Sequence, residues 1–155
     1  MTPICPEACA YLDKTRLERQ TRETESVFES PQLVDKRPWL AHAFTELLQV
    51  QRRGRIEPGI GDFRVSDDTL NAAGRVLGSI TCRYLPSPAV FALSGGGIQI
   101  TWANGPNAVE VSVFPGRDIE VGVARLSDDV PIKAVELRAA EYERVNEFLA
   151  DFMGA

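Results

Sequence analysis

GGGIQITW, residues 95–102, is the stretch whose reading decides the fold. Three consecutive glycines stand against a segment in which Ile98, Ile100 and Trp102 alternate with Gln99 and Thr101. A glycine loop that cradles phosphate follows a buried parallel strand and runs straight into a helix, whose first N–H groups meet the anion. Here the glycines lead into a period-two run, the signature of a strand with one dry face and one wet face. The chain contains no GKS, GKT or GxGxxG pattern. The glycines are therefore expected to form a hairpin turn at positive φ, and no nucleotide site is expected there.

The same alternation continues on both sides. AVFALS (89–94), IQITWA (98–103), AVEVSVF (108–114) and DIEVGVARL (118–126) are short apolar-polar runs separated by GGG, NGPN and PGR, all chain-reversal sequences. They predict an antiparallel meander. VPIKAVEL (130–137) fits either a fifth strand or an early helical turn, because a short apolar run does not distinguish the two. The sheet thus has four or five strands. Placing Val113 opposite Ile119 across the Pro115-Gly116 turn sets Val111 against Val121 and Val109 against Val123. With Trp102, Ile100 and Ile98 on the neighbouring strand, nine large apolar residues line one side. A patch of that size must be covered.

The cover is legible as helices. Trp39, Leu40, Ala43, Phe44, Leu47 and Leu48 form one stripe at helical spacing, ended by QRRGR, with Gly54 expected as a left-handed cap. After the loop IEPGIGDFRV, Ser66 with Asp67 and Asp68 opens a second helix, whose apolar face is Leu70, Ala73, Val76, Leu77 and Ile80 and which runs to about Cys82. Gly74 and Gly78 inside it predict a close approach by another backbone. AAEYERVNEFLADFM is a third amphipathic helix, with Val145, Phe148, Leu149 and Phe152 on its stripe. Residues 1–37 are different: DKTRLERQTRETES (13–26) has Leu17 as its only large apolar residue. This segment is expected to be a polar arm or solvated helix before a single α+β domain over residues 38–155.

Composition narrows the function classes. With 155 residues, 44% hydrophobic and 25% charged, the chain reads as one soluble domain. No stretch is long and apolar enough to span a membrane, and MTPICPEACAYLDK lacks the pattern of a secretory signal. A cytoplasmic location is expected. Cys5, Cys9 and Cys82 are an odd number without framework spacing, so free thiols are expected. CPEAC could supply two zinc thiolates only if Cys82 and His42 converged on them, and the spacing is not that of a zinc knuckle. No metal or cofactor is expected. A net charge of -5 disfavours general nucleic-acid binding. Residues 38–84 hold six Arg against five acids, whereas 85–155 hold five basic residues against ten acids, so the C-terminal half carries the acidity.

The order of elements, with the strand Gly96, Gly97, Ile98, Gln99, Ile100 and Trp102 followed by Val109, Glu110, Val111 and Val113, resembles a group of small bacterial proteins of unknown function. Their hallmark is a GG-[IV]-Q-[IL]-x-W strand that often reads GGIQLEW, and the resemblance covers roughly residues 40–123. Thr101 stands where that group usually has Glu, and GIGDF (59–63) replaces a tryptophan-containing loop. The resemblance implies a bacterial or mobile-element protein encoded beside a partner, and it implies no activity.

The polar side of the sheet supplies the candidate site: Gln99, Thr101, Glu110, Ser112 and Glu120, with Thr101 meeting Glu110 and Ser112 meeting Glu120 in the register above. A cationic group, Arg52, Arg53 and Arg55, follows the first helix, where a helix terminus also accounts for it. His42, the lone histidine, falls opposite the apolar stripe. The expected function is non-catalytic protein binding, antitoxin-like or inhibitor-like, through the acidic sheet face or an edge strand, with a homodimer as a further expectation. One competitor is a small enzyme using Glu110, Glu120 and Thr101. The other is a DNA-binding accessory protein using the Ser66–Ile80 helix with Arg52, Arg53, Arg55, Arg64 and Arg75.

Overall fold

The computed structural model describes residues 37–153, so the polar arm and the cysteines Cys5 and Cys9 lie outside the described residues. Helix α1 spans Pro38–Arg53, and β1 (Ile56–Glu57) and β2 (Gly61–Asp62) form a small hairpin. Helix α2 (Asp67–Ser79) leads to the main sheet: β3 (Ala89–Leu93), β4 (Gly97–Asn104), β5 (Asn107–Phe114), β6 (Glu120–Ser127) and β7 (Val130–Leu137). A 3-10 turn (Ala139–Arg144) and helix α3 (Val145–Met153) complete the described chain. The sheet is an antiparallel meander in the order β3-β4-β5-β6-β7, with the helices on one face, so the chain is α+β. VPIKAVEL is the fifth strand.

The expected apolar face is the core. Ile98, Ile100, Trp102, Val109, Val111, Val113, Val121 and Val123 are buried with Trp39, Leu47, Val76, Leu77, Phe148 and Phe152 of the helices. Trp39 meets Trp102 edge to face at 6.1 Å, a favoured aromatic geometry, and its indole N–H donates to the Cys82 carbonyl at 2.9 Å. Polar clamps fix the helices to one another. Asn146 donates to the Ser79 carbonyl and accepts from the Thr81 N–H, tying α3 to the end of α2. Gln51 of α1 donates to Asp67 at the start of α2, 2.7 Å away. Ser66 caps α2 by accepting the Thr69 N–H.

The glycines at 95 and 96 do have positive φ, 91° and 89°, and Gly97 already belongs to β4. Their packing adds a reason for the triplet. The Gly95 N–H donates to the Asp62 carbonyl, and a side chain on Gly96 would lie 3.0 Å from the Arg64 carbonyl. The turn therefore seats the segment 62–64.

Several expectations are corrected. Val113 pairs with Val121, Val111 with Val123 and Val109 with Arg125, two residues from the expected register. The connection after Phe114 is a five-residue loop, 115–119, and not a tight turn at Pro115-Gly116. A slip of two preserves every side chain's face, which is why the core survives it. It also replaces Val123 by Arg125 opposite Val109. Gly54 is extended (φ −62°, ψ 128°) and not left-handed. It must be glycine because a Cβ would lie 2.6 Å from the Phe63 carbonyl. Helix α2 ends at Ser79, where the Arg37 guanidinium donates to the Gly78 and Ile80 carbonyls. Gly74 faces the Phe44 ring and a side chain on Gly78 would meet nothing within 4 Å, so neither meets another backbone among the described residues. Phe44 and Leu48 are exposed. Cys82, expected as a free thiol, is fully buried and disulfide-bonded. No helix of the described residues is long and apolar enough to cross a membrane.

Candidate functional site

The face of the sheet away from the helices carries four of the expected residues together. Thr101 stands opposite Glu110, as expected, and Gln99 opposite Ser112. All four are half-buried. The Gln99 side-chain amide donates to Glu110 at 2.9 Å and to the Thr101 hydroxyl at 3.3 Å, so one amide organises two strands. Glu120 is placed differently from expectation. It pairs with Phe114, while Ser112 faces Gly122, because of the two-residue shift in register. Glu120 is exposed at the entry to β6.

Sequence reasoning missed the far wall of this site. With β7 in the sheet, Glu136 faces Gly122 and Ala134 faces Ala124, which puts both on the outer side. Its signal was the alternation of Ala134 and Glu136 with Val135 and Leu137, hidden by the ambiguity of a short apolar run. Gly122, Ala124 and Ala134 are small, so the sheet surface dips. An open trough of about 420 Å³ runs over them, bounded by Glu110 and Ser112 on one side, Glu136 on the other and Phe114 at one end. Phe114 and Phe91 expose 44% and 52% of their surface on this face. Among outward-facing residues of β3 to β7, Glu110, Glu120 and Glu136 are acidic and none is basic. The sheet's two basic residues within strands, Arg125 and Lys133, lie on the helix side. Lys133 pairs with Asp151 at 3.9 Å and sits over the Phe148 ring at 4.5 Å. The electrostatic asymmetry of the two faces is complete.

Arg52, Arg53 and Arg55 are not brought to this surface. Arg52 and Arg53 close α1 in the helix layer, and Arg55 pairs with Glu57 at 3.3 Å in front of the small hairpin. Arg64 forms a two-pronged pair with Asp62, its Nε 3.0 Å from Oδ1 and its Nη2 2.8 Å from Oδ2. These hydrogen bonds hold the Asp62 carboxyl at about 2, below its ordinary 3.8. Because the folded value is depressed, whatever this exposed pair contributes is present above pH 3.8 and fades as the pH falls towards 2. Arg75 shares the outer face of α2 with Asp68. The cationic residues are thus interspersed with acids, unlike the continuous basic stripe of a DNA-binding helix.

His42 is exposed on α1. The described residues hold no group of three His, Cys, Asp or Glu side chains arranged for a metal. A catalytic carboxylate pair needs one acid in an enclosed apolar setting. Glu120 and Glu136 are exposed and Glu110 accepts the Gln99 amide beside an open trough. This arrangement suits contact with a complementary surface better than proton transfer. Compared with known proteins, the chain matches no family model, no curated protein and no solved structure.

Proposed function

We propose that this protein is a non-catalytic recognition module that binds a basic segment of another protein on the outer face of its sheet. One observation carries the reading: among the described residues that face has three carboxylates, no basic group and an open trough floored by small residues. A Lys or Arg side chain suits such a place. Its alkyl stem can lie along Gly122, Ala124 and Ala134 beside the Phe114 ring, while its cation reaches Glu110 and Glu136. The resemblance to small bacterial proteins of unknown function supports a partner encoded in the same neighbourhood.

The β7 edge of the sheet is blunted against strand addition. Pro131, the irregularity between Arg125 and Leu126, and Lys133 all fall at the β7 edge, and such features discourage edge-to-edge pairing. The test is affinity capture from the native host with the wild-type chain and a Glu110→Gln, Glu136→Gln variant, both run at low and moderate salt. A stoichiometric partner that the wild type holds and the variant releases, with about tenfold or greater loss of affinity, is the expected result. Equal retention by both baits, or no stoichiometric partner, contradicts the reading.

A further inference from the structure

We propose that the open groove between α1 and α2 is the contact surface of a homodimer, in which α2 of one copy packs antiparallel against α2 of a second copy. The groove, of about 810 Å³, lies in the helix layer and is lined by Phe44 and Leu48 of α1, Asp68, Asn71 and Arg75 of α2, and Ile119 of the loop before β6. Phe44 and Leu48 expose 38% and 49% of their surface. Both belong to the apolar stripe of α1, yet the sheet takes only Trp39, Leu40, Ala43 and Leu47 of that stripe into the core. The stripe is wider than its cover.

Charge selects a second copy as the occupant. Asp68 and Arg75 are two turns apart on the exposed side of α2, with Asn71 between them. A twofold axis beside Asn71 sets Asp68 of each copy over Arg75 of the other, so a single charge pattern satisfies itself twice. The antiparallel arrangement also brings the positive N-terminus of each helix to the negative C-terminal half of its neighbour. Glycine content agrees. A helix-interior glycine weakens a helix relative to alanine, and among the described residues no atom lies within 4 Å of where a side chain on Gly78 would begin. A helix from outside can come close there, beside the half-exposed Gly74.

The groove and the acidic trough lie on opposite sides of the sheet, so this dimer stands or falls independently of the proposed function. Sedimentation velocity on the full chain over a wide range of concentrations provides the test, using the wild type, Asp68→Arg, Arg75→Asp and the double charge swap. The wild type is expected to reach a mass of two chains and no more, because a twofold contact closes. Each single reversal creates two like-charge contacts and is expected to weaken dimerisation about tenfold or more, whereas the double swap restores it. Circular dichroism of each variant establishes that the fold is retained. A wild type that stays monomeric, a mass above two chains, singles that dimerise like the wild type, or a folded double swap no stronger than the singles would each overturn the proposal.

Discussion

Among the described residues, two buried nitrogens, Nε1 of Trp102 and Nε of Arg125, have no hydrogen-bond partner. They belong to one transverse row of the helix-side face, Trp102, Val109, Arg125 and Lys133 on successive strands. Lys133 has Asp151 to pair with, and among the described residues no acid pairs with Arg125. A buried donor left without an acceptor costs the desolvation of that group, and an apolar side chain of similar length avoids the cost. Arg125→Met is therefore expected to raise stability by about 1 kcal/mol, read as a higher urea midpoint at unchanged slope. A lower midpoint would mean that the guanidinium has a partner in solution. The same row shows what was illegible at this scale: alternation puts Arg125 on the face of Val121 and Val123, but only the true register sets it opposite Val109, in the row of Trp102.

Among the elements, β7 owes its place to a turn that is easily overlooked. Ser127 pairs with Val130 across Asp128 and Asp129, whose φ values are 51° and 63°. Two residues at positive φ make the hairpin geometry that matches strand twist, usually supplied by Asn-Gly or Asp-Gly. Asp-Asp is a weak form of that signal, since Asp tolerates the left-handed region less well than Gly. Hence VPIKAVEL remained ambiguous in the sequence, and with it Glu136. Asp129→Gly is expected to relieve the strain and raise stability by about 0.5–1 kcal/mol, seen as a higher thermal midpoint. A midpoint that falls would show that the Asp129 side chain contributes more than its backbone conformation costs. The helices were easier, because Ser66 and the apolar stripes mark them locally, although Gly54 ends α1 by close approach to Phe63 and not by a left-handed cap.

At the scale of the whole molecule, the single sheet separates two surfaces of different character. One side is acidic with a shallow trough, and the other is sealed by helices that leave an apolar groove at their own junction. Partner binding and self-association are consequently expected to be separable. The Glu110→Gln, Glu136→Gln variant should lose its partner yet sediment like the wild type, within the error of the mass. If that variant also loses its self-association, the two surfaces are coupled through the sheet and are not separable.

The sequence by itself determined the layered α+β architecture, the face assignment of the strands and the placement of Gln99, Thr101, Glu110 and Ser112 together on the outer side. These follow from periods of two and 3.6 residues, which are local and survive a register error of two. Tertiary structure alone decided the remainder: the actual strand register, the arrival of Glu136 opposite Gly122, the exclusion of Arg52, Arg53 and Arg55 from the site, and the exposure of Phe44 and Leu48. Each of these depends on loop length or on how far one element covers another. Those quantities are set by contacts between residues distant in the chain, and periodicity carries no record of them.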